Sequence, residues 1–235
     1  MNYWSAFEAS RFSADYLEQQ GMTLRTVVDF DEIPEVVGLS GKSYLTPILD
    51  PRQNDFSAEN SFWLIAEKDG VPVIVGGARV DDVGGNGGAF VKRLFNRTYG
   101  EGTITAVDAR VGDQIRGRAA YFGDLFSSAA GRLGRRNVRY FLAVANYIAV
   151  THYQVDCVYS FMRGADVQRG SADVNGFMGR NLAPLEWGVK PQGRGDAEQL
   201  VYRQSDDHVD YFEAVKLELA CRRSEPSARR LCPQP

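Results

Sequence analysis

The stretch Ala119-Ala120-Tyr121-Phe122-Gly123-Asp124-Leu125-Phe126, followed by Gly131-Arg132-Leu133-Gly134-Arg135-Arg136-Asn137 and an apolar run to Met162, decides the fold. Ala119–Phe126 reads as a strand with Gly123 in its middle. Val138–Tyr153 reads as a helix: Val138, Phe141, Leu142, Ala145, Ile148 and Ala149 make one stripe, and Tyr140, Val144 and Tyr147 make a second. A helix apolar on most sides is buried. Cys157–Met162 is a short apolar strand leaving that helix. A strand–helix–strand unit of this length puts two parallel strands side by side.

The loop 131–137 stands where the strand hands over to the helix. A helix start has free N–H groups and partial positive charge, so it favours a phosphate. Two glycines permit close backbone approach, and three arginines add fixed positive charge. The plainer reading is a surface turn with solvated arginines, and the residues alone leave both open.

Working outward, Ala6–Gln20 reads as a helix with Phe7, Phe12 and Tyr16 on one face. Thr23–Phe30 reads as a strand, and Asp31–Val37 as a helix start with Asp31 as cap and Pro34 in the first turn. Phe62–Glu67 and Val71–Val80 flank Lys68-Asp69-Gly70, a hairpin signal. Gly76 and Gly77 inside the second run predict a bulge or a close backbone approach. Gly84–Gly88 reads as a mobile linker, Ala89–Phe95 is open between states, and Thr103–Val107 is a short strand. Asp166–Met178 reads as a helix weakened by Gly170 and Gly176. Leu185–Val189 and Gln199–Gln204 are closing strands. A terminal helix runs to about Ala220, with a strand over Val215–Leu219 as the alternative. The reading is a single domain over 1–220 with a basic disordered tail, 221–235.

Composition narrows the classes. The 235 residues are 44% hydrophobic and 24% charged, with net charge −3, which are globular values. An acidic balance speaks against a nucleic-acid partner. Cys157, Cys221 and Cys232 are too few and too odd for a disulfide framework, so a reducing, cytoplasmic setting is expected. No apolar run reaches membrane-spanning length, and no signal-peptide pattern is seen at Met1–Trp4. His152 and His208 are the only histidines, and neither has ligand-spaced company, so no metal is expected. Gly41-Lys42-Ser43 has the ending of a P-loop, but Val36 stands where its first Gly belongs. No Gly-x-Ser-x-Gly elbow occurs, and Cys157 lacks an activating neighbour.

The order strand, helical material, hairpin, strand–Arg/Gly loop–helix–strand, helix, strand resembles the GCN5-related N-acetyltransferase superfamily. The resemblance covers Thr23–Gln204 in element order and about Tyr121–Met162 in residues. The family motif is Gln or Arg, two residues, Gly, one residue, then Gly or Ala. Gly134 matches the central Gly, whereas Gly131 and Arg136 occupy the outer positions and Arg132 follows one step late. Arg136 either narrows the pyrophosphate seat or meets the phosphate with its side chain.

The resemblance implies an α/β fold: a mixed, mostly antiparallel central sheet with a splayed parallel strand pair and flanking helices. It implies acetyl-CoA or another acyl-CoA as co-substrate and a small-molecule or protein amine as acceptor. Arg132, Leu133, Gly134, Arg135, Arg136 and Asn137 would seat the pyrophosphate. Leu125 and Phe126 would meet the pantetheine, with Asn175 nearby. Asp124 is the implied general base. Many relatives use a Tyr on the helix after the parallel pair as acid; Asn175 or Phe177 falls there, leaving Tyr159 as a substitute. The loops Asp81–Gly100 and Gly112–Arg118 are expected to shape the acceptor pocket. Two alternatives stand beside the acyl-CoA enzyme. One is a non-catalytic relative, suggested by Gly131, Arg136 and the missing Tyr. The other resembles N-acyl amino-acid or homoserine-lactone synthases, with Arg135, Arg136 or Arg139 meeting an acidic acyl carrier protein. A homodimer is compatible with either.

Overall fold

The Asp69-Gly70 turn closes the hairpin on which the sheet is built. Both residues are left-handed, with φ 53° and 76°, the geometry that matches the twist of the flanking strands. In this computed structural model, residues 3–27, 29–130, 135–195 and 197–223 are described.

In chain order the elements are α1 (Tyr3–Gln19), β1 (Thr23–Thr26), α2 (Ile33–Leu39), β2 (Ser61–Lys68), β3 (Val71–Asp82) and α3 (Gly87–Tyr99). There follow β4 (Ile104–Val107), α4 (Val111–Gln114), β5 (Arg118–Ser127), α5 (Arg135–Thr151), β6 (Cys157–Arg163) and α6 (Gly164–Gln168). The chain then forms α7 (Ser171–Val174), β7 (Gly179–Asn181), β8 (Leu185–Trp187), β9 (Glu198–Gln204) and α8 (His208–Arg223). Seven strands make one sheet in the order β1-β2-β3-β5-β6-β9-β7. Its pairs are antiparallel except β5 with β6. This is the mixed, mostly antiparallel sheet with one parallel pair that the sequence implied.

Strand alternation sorts two cores. Phe62, Leu64 and Ala66 of β2 face α1, α5 and α8, whereas Trp63 and Ile65 face α2, α3 and α4. α5 is buried along most of its length, as its two apolar stripes required. The buried side of α1 is made of Ser5, Ala6, Ala9, Ser10, Ser13 and Leu17, while Phe7 is 41% exposed. Small residues let α1 approach α5 and α8 closely, so the aromatic stripe of the sequence marks its flank.

Several expectations are corrected. The strand expected over Thr23–Phe30 stops at Thr26; Asp29, not Asp31, caps a 3-10 turn by accepting from the Asp31 N–H. Pro34 does sit in the first turn of α2. The Gly84–Gly88 segment is no linker throughout. Asn86 accepts from the Ala89 N–H and starts α3, a standard cap. Gly170, at φ 82°, divides the expected 166–178 helix into α6 and α7. Leu185–Trp187 leaves the main sheet and pairs with β4. Residues 215–219 are helical. α8 runs through Arg223, into the segment expected as tail; the rest of that tail lies outside the described residues.

Candidate active site

The parallel pairing of β5 and β6 is confined to Ala119–Tyr121 against Cys157–Tyr159. Beyond that the two strands follow different neighbours. β6 stays with β9 as far as Arg163 opposite Glu198. β5 stays with β3 through a bulge: Gly77 faces Gly123 and Val75 faces Phe126, so Asp124 and Leu125 oppose Gly76 alone. Asp124 takes the left-handed conformation, φ 52°. An extra residue bends a strand and increases its twist, and here the bend opens the sheet. A cavity of about 800 Å³ runs through the gap.

On one side the cavity lies under α5. Arg135, at the first turn of that helix, borders it, as do Leu125, Phe126 and Asn175. Four of the expected donor-site residues therefore converge. Arg136 is exposed and Asn137 fully buried, and neither borders the cavity. Arg132, Leu133 and Gly134 lie outside the described residues.

On the other side stand Tyr44, Thr46, Tyr121, Arg194 and Glu198. These come from the 41–47 and 189–197 segments as well as from the strands. The expected acceptor loops, 81–100 and 112–118, do not border the cavity: the first became α3 and packs Phe95 into the core.

The two residues expected to do chemistry are held differently from that expectation. The Asp124 carboxylate borders the cavity but is fully engaged. Lys42 Nζ lies 2.5 Å from Oδ1, the Thr46 N–H donates at 3.0 Å to Oδ2, and Thr46 Oγ1 donates at 2.6 Å. Tyr159 is fully buried and does not border the cavity. It packs at 5.5 Å from the ring of Tyr121, and burial drives its hydroxyl well above the usual tyrosine pKa. It is a core aromatic on the α2/α3 side.

Sequence reasoning missed the Arg194–Glu198 pair. Arg194 Nη1 lies 3.2 Å from Glu198 Oε2, with the side chains 7% and 4% exposed. Arg194 also donates to Tyr99 Oη at 2.9 Å and lies over the ring of Phe95. The Gly195 N–H donates to Glu198 Oε1 at 3.2 Å. Burial raises the Glu198 pKa, against the pull of Arg194. Burial likewise raises that of Tyr121, again against Arg194. The one sequence signal was an Arg between two glycines, Gly193-Arg194-Gly195, ahead of a closing strand.

Behind the cavity a buried polar cluster fixes the wall that carries Asn175 and Phe177. Arg203, fully buried, donates to the Gly176 carbonyl at 2.8 Å, to Asn146 Oδ1 at 2.6 Å and to His208 Nδ1 at 3.1 Å. Its guanidinium lies 3.9 Å from the Tyr211 ring centre. Cys157 is buried, which pushes its thiol up to about 12 and leaves it protonated. Among the described residues no group of His, Cys, Asp or Glu has the makings of a metal site, and no helix is long and apolar enough to cross a membrane.

No protein-family model matches the chain, and no curated protein does. Solved structures are similar to it. The dodecameric spermidine N-acetyltransferase of Vibrio cholerae has a TM-score of 0.49 at 10% identity, over 80% of this chain and 96% of that one. An N-acetyltransferase of Staphylococcus aureus has a TM-score of 0.46 at 8% identity, over 79% and 98%. ElaA of Escherichia coli has a TM-score of 0.43 at 7% identity, over 78% and 99%. Among the described residues, the one parallel pair and its parting ends are the arrangement that the sequence resemblance implied.

Proposed function

We propose that this chain is an acyl-CoA-dependent N-acyltransferase. The reading rests on one observation: β5 and β6 part after Tyr121 and Tyr159, and the cavity through the gap joins an α5 side to a charged side. A thioester threaded through such a gap meets an amine arriving from the opposite face of the sheet.

In this reading the pantetheine arm lies along Leu125 and Phe126, with Asn175 across from them. The pyrophosphate sits at the α5 start, where Arg135 supplies positive charge and a helix N-terminus favours an anion. Glu198 replaces Asp124 as the general base. Its carboxylate borders the cavity and its raised pKa brings it toward the working pH, where a base is most effective. The amine nitrogen attacks the thioester carbon and the C–N bond forms. The amine proton passes to Glu198. The C–S bond breaks with its electron pair leaving on sulfur, and the thiolate takes the proton of Tyr121. Glu198 returns a proton to Tyr121. Asp124 holds the 41–47 segment that walls the acceptor side.

Calorimetry with CoA and acetyl-CoA tests the reading. Micromolar binding is expected, and a flat titration at millimolar ligand overturns it. Glu198→Gln is expected to lower turnover with a primary amine by about 10²–10⁴ while acetyl-CoA still binds.

A further inference from the structure

Two carbons of an acetyl group need only the gap itself. The cavity continues beyond the gap, beneath α5, as far as β2. Phe62, Ala78 and Phe122 stand in register on three adjacent strands, all on the side facing α5. Phe141, Leu142 and Ala145 of α5 lie over them, and all six border the cavity. None carries a polar side-chain atom, and each is at most 8% exposed. Gly76 lies against this wall, where a Cβ would crowd the Phe141 ring at 3.3 Å and Leu125 at 3.5 Å. Ala78 and Ala145 are the other small residues. The chemistry of the two regions differs accordingly: charged and hydroxyl groups at Glu198, Arg194 and Tyr121, hydrocarbon where these six side chains meet.

We propose that the branch under α5 receives the hydrocarbon chain of a medium- or long-chain acyl-phosphopantetheine thioester, so that the donor is a fatty-acyl rather than an acetyl group. The inference rests on the N-acyltransferase reading and adds to it the class of acyl group. The thioester is carried either by CoA or by an acyl carrier protein, which share the phosphopantetheine arm.

Calorimetry with CoA, acetyl-CoA, butyryl-CoA, hexanoyl-CoA and octanoyl-CoA, and in parallel with octanoyl and acetyl carrier protein, separates the possibilities. Each buried methylene is worth up to about fourfold in affinity. Octanoyl-CoA, six methylenes longer than acetyl-CoA, is expected to bind about a hundredfold more tightly, within that ceiling. Ala145→Leu and Gly76→Val are expected to reduce that octanoyl-to-acetyl ratio at least tenfold. Chain-length dependence seen only on the carrier protein keeps the branch and removes CoA as donor. CoA and acetyl-CoA binding with equal or weaker octanoyl binding overturns the branch while leaving the N-acyltransferase reading in place. Absence of binding by every CoA and carrier thioester removes both. Should either variant fail to fold, the unaltered chain's own series still decides.

Discussion

Lys42 Nζ lies 2.5 Å from Asp124 Oδ1, joining a residue in the 41–47 segment to the bulge of β5, 82 positions away. The Asp124 side chain is fully buried and that of Lys42 is 15% exposed. The pair, with both donors of Thr46, fastens the 41–47 segment to the point where the sheet opens. It also supports a non-glycine residue at φ 52°, a conformation that costs about 1–2 kcal/mol without such partners. Asp124→Asn leaves the lysine charge without its anion, and breaking a buried pair from one side costs about 3–5 kcal/mol. Urea unfolding is expected to show that loss, with Asp124→Asn combined with Lys42→Met recovering part of it. Asp124→Asn with unaltered stability and a hundredfold slower turnover would instead restore Asp124 as the base.

Glu198 gives the second prediction. Desolvation raises its pKa above that of a free glutamate, while Arg194 opposes the rise. Only the deprotonated carboxylate accepts the amine proton, so kcat/KM is expected to fall as pH drops through that raised value. The acid limb then lies above the usual carboxylate range. Glu198→Gln removes the limb together with most of the rate. A limb that persists unchanged in Glu198→Gln assigns the base elsewhere.

What could be read from the residues alone follows from where short-range physics dominates. α5 announced itself through a 3.6-residue apolar period, and the β2–β3 hairpin through Asp69-Gly70, because both signals are local. The parallel pair followed from handedness rules acting on a helix of that length. That Leu125, Phe126, Arg135 and Asn175 meet at one cavity wall was legible as well, since they belong to the same strand–helix unit or to the turns after it. The opposite wall was not. Arg194 and Glu198 meet Tyr121 and Thr46 only through tertiary contact, and no spacing encodes it. The sequence likewise does not show that Lys42 and Thr46 reach Asp124 from the 41–47 segment. The same contact gives Gly41-Lys42-Ser43 a use unrelated to phosphate.

Gly77 offers a third test, of packing. It pairs across the hairpin with Trp63, which is fully buried. A Cβ at Gly77 would lie 2.5 Å from the indole ring, far inside contact distance. The indole is rigid and enclosed, so Gly77→Ala must shift ring or strand. Overpacking of this kind costs about 1–3 kcal/mol, read as a lower urea midpoint. Gly77→Ala combined with Trp63→Phe is expected to cost less than the sum of the two single changes. Full additivity would mean that the ring and the glycine are not coupled.

His208 makes stability depend on pH. Its Nδ1 accepts from Arg203 Nε at 3.1 Å, and its Nε2 lies 3.3 Å from the Val155 carbonyl, which only a proton on Nε2 turns into a hydrogen bond. Burial first, and then the Arg203 charge, lower its pKa from 6.5 to about 3. The folded state therefore refuses a proton that the unfolded chain takes up below pH 6.5. More protons on the unfolded state means that stability rises with pH across this window. The contribution is complete above about pH 6.5 and declines by about 1.4 kcal/mol per unit as pH falls toward 3. Between pH 7 and pH 5 the loss is about 2 kcal/mol. His208→Gln retains an acceptor for Arg203 and has nothing to titrate. Urea midpoints of this variant are expected to change less between pH 7 and 5 than those of the unaltered chain. An identical change in both would show that His208 is already protonated in the folded protein.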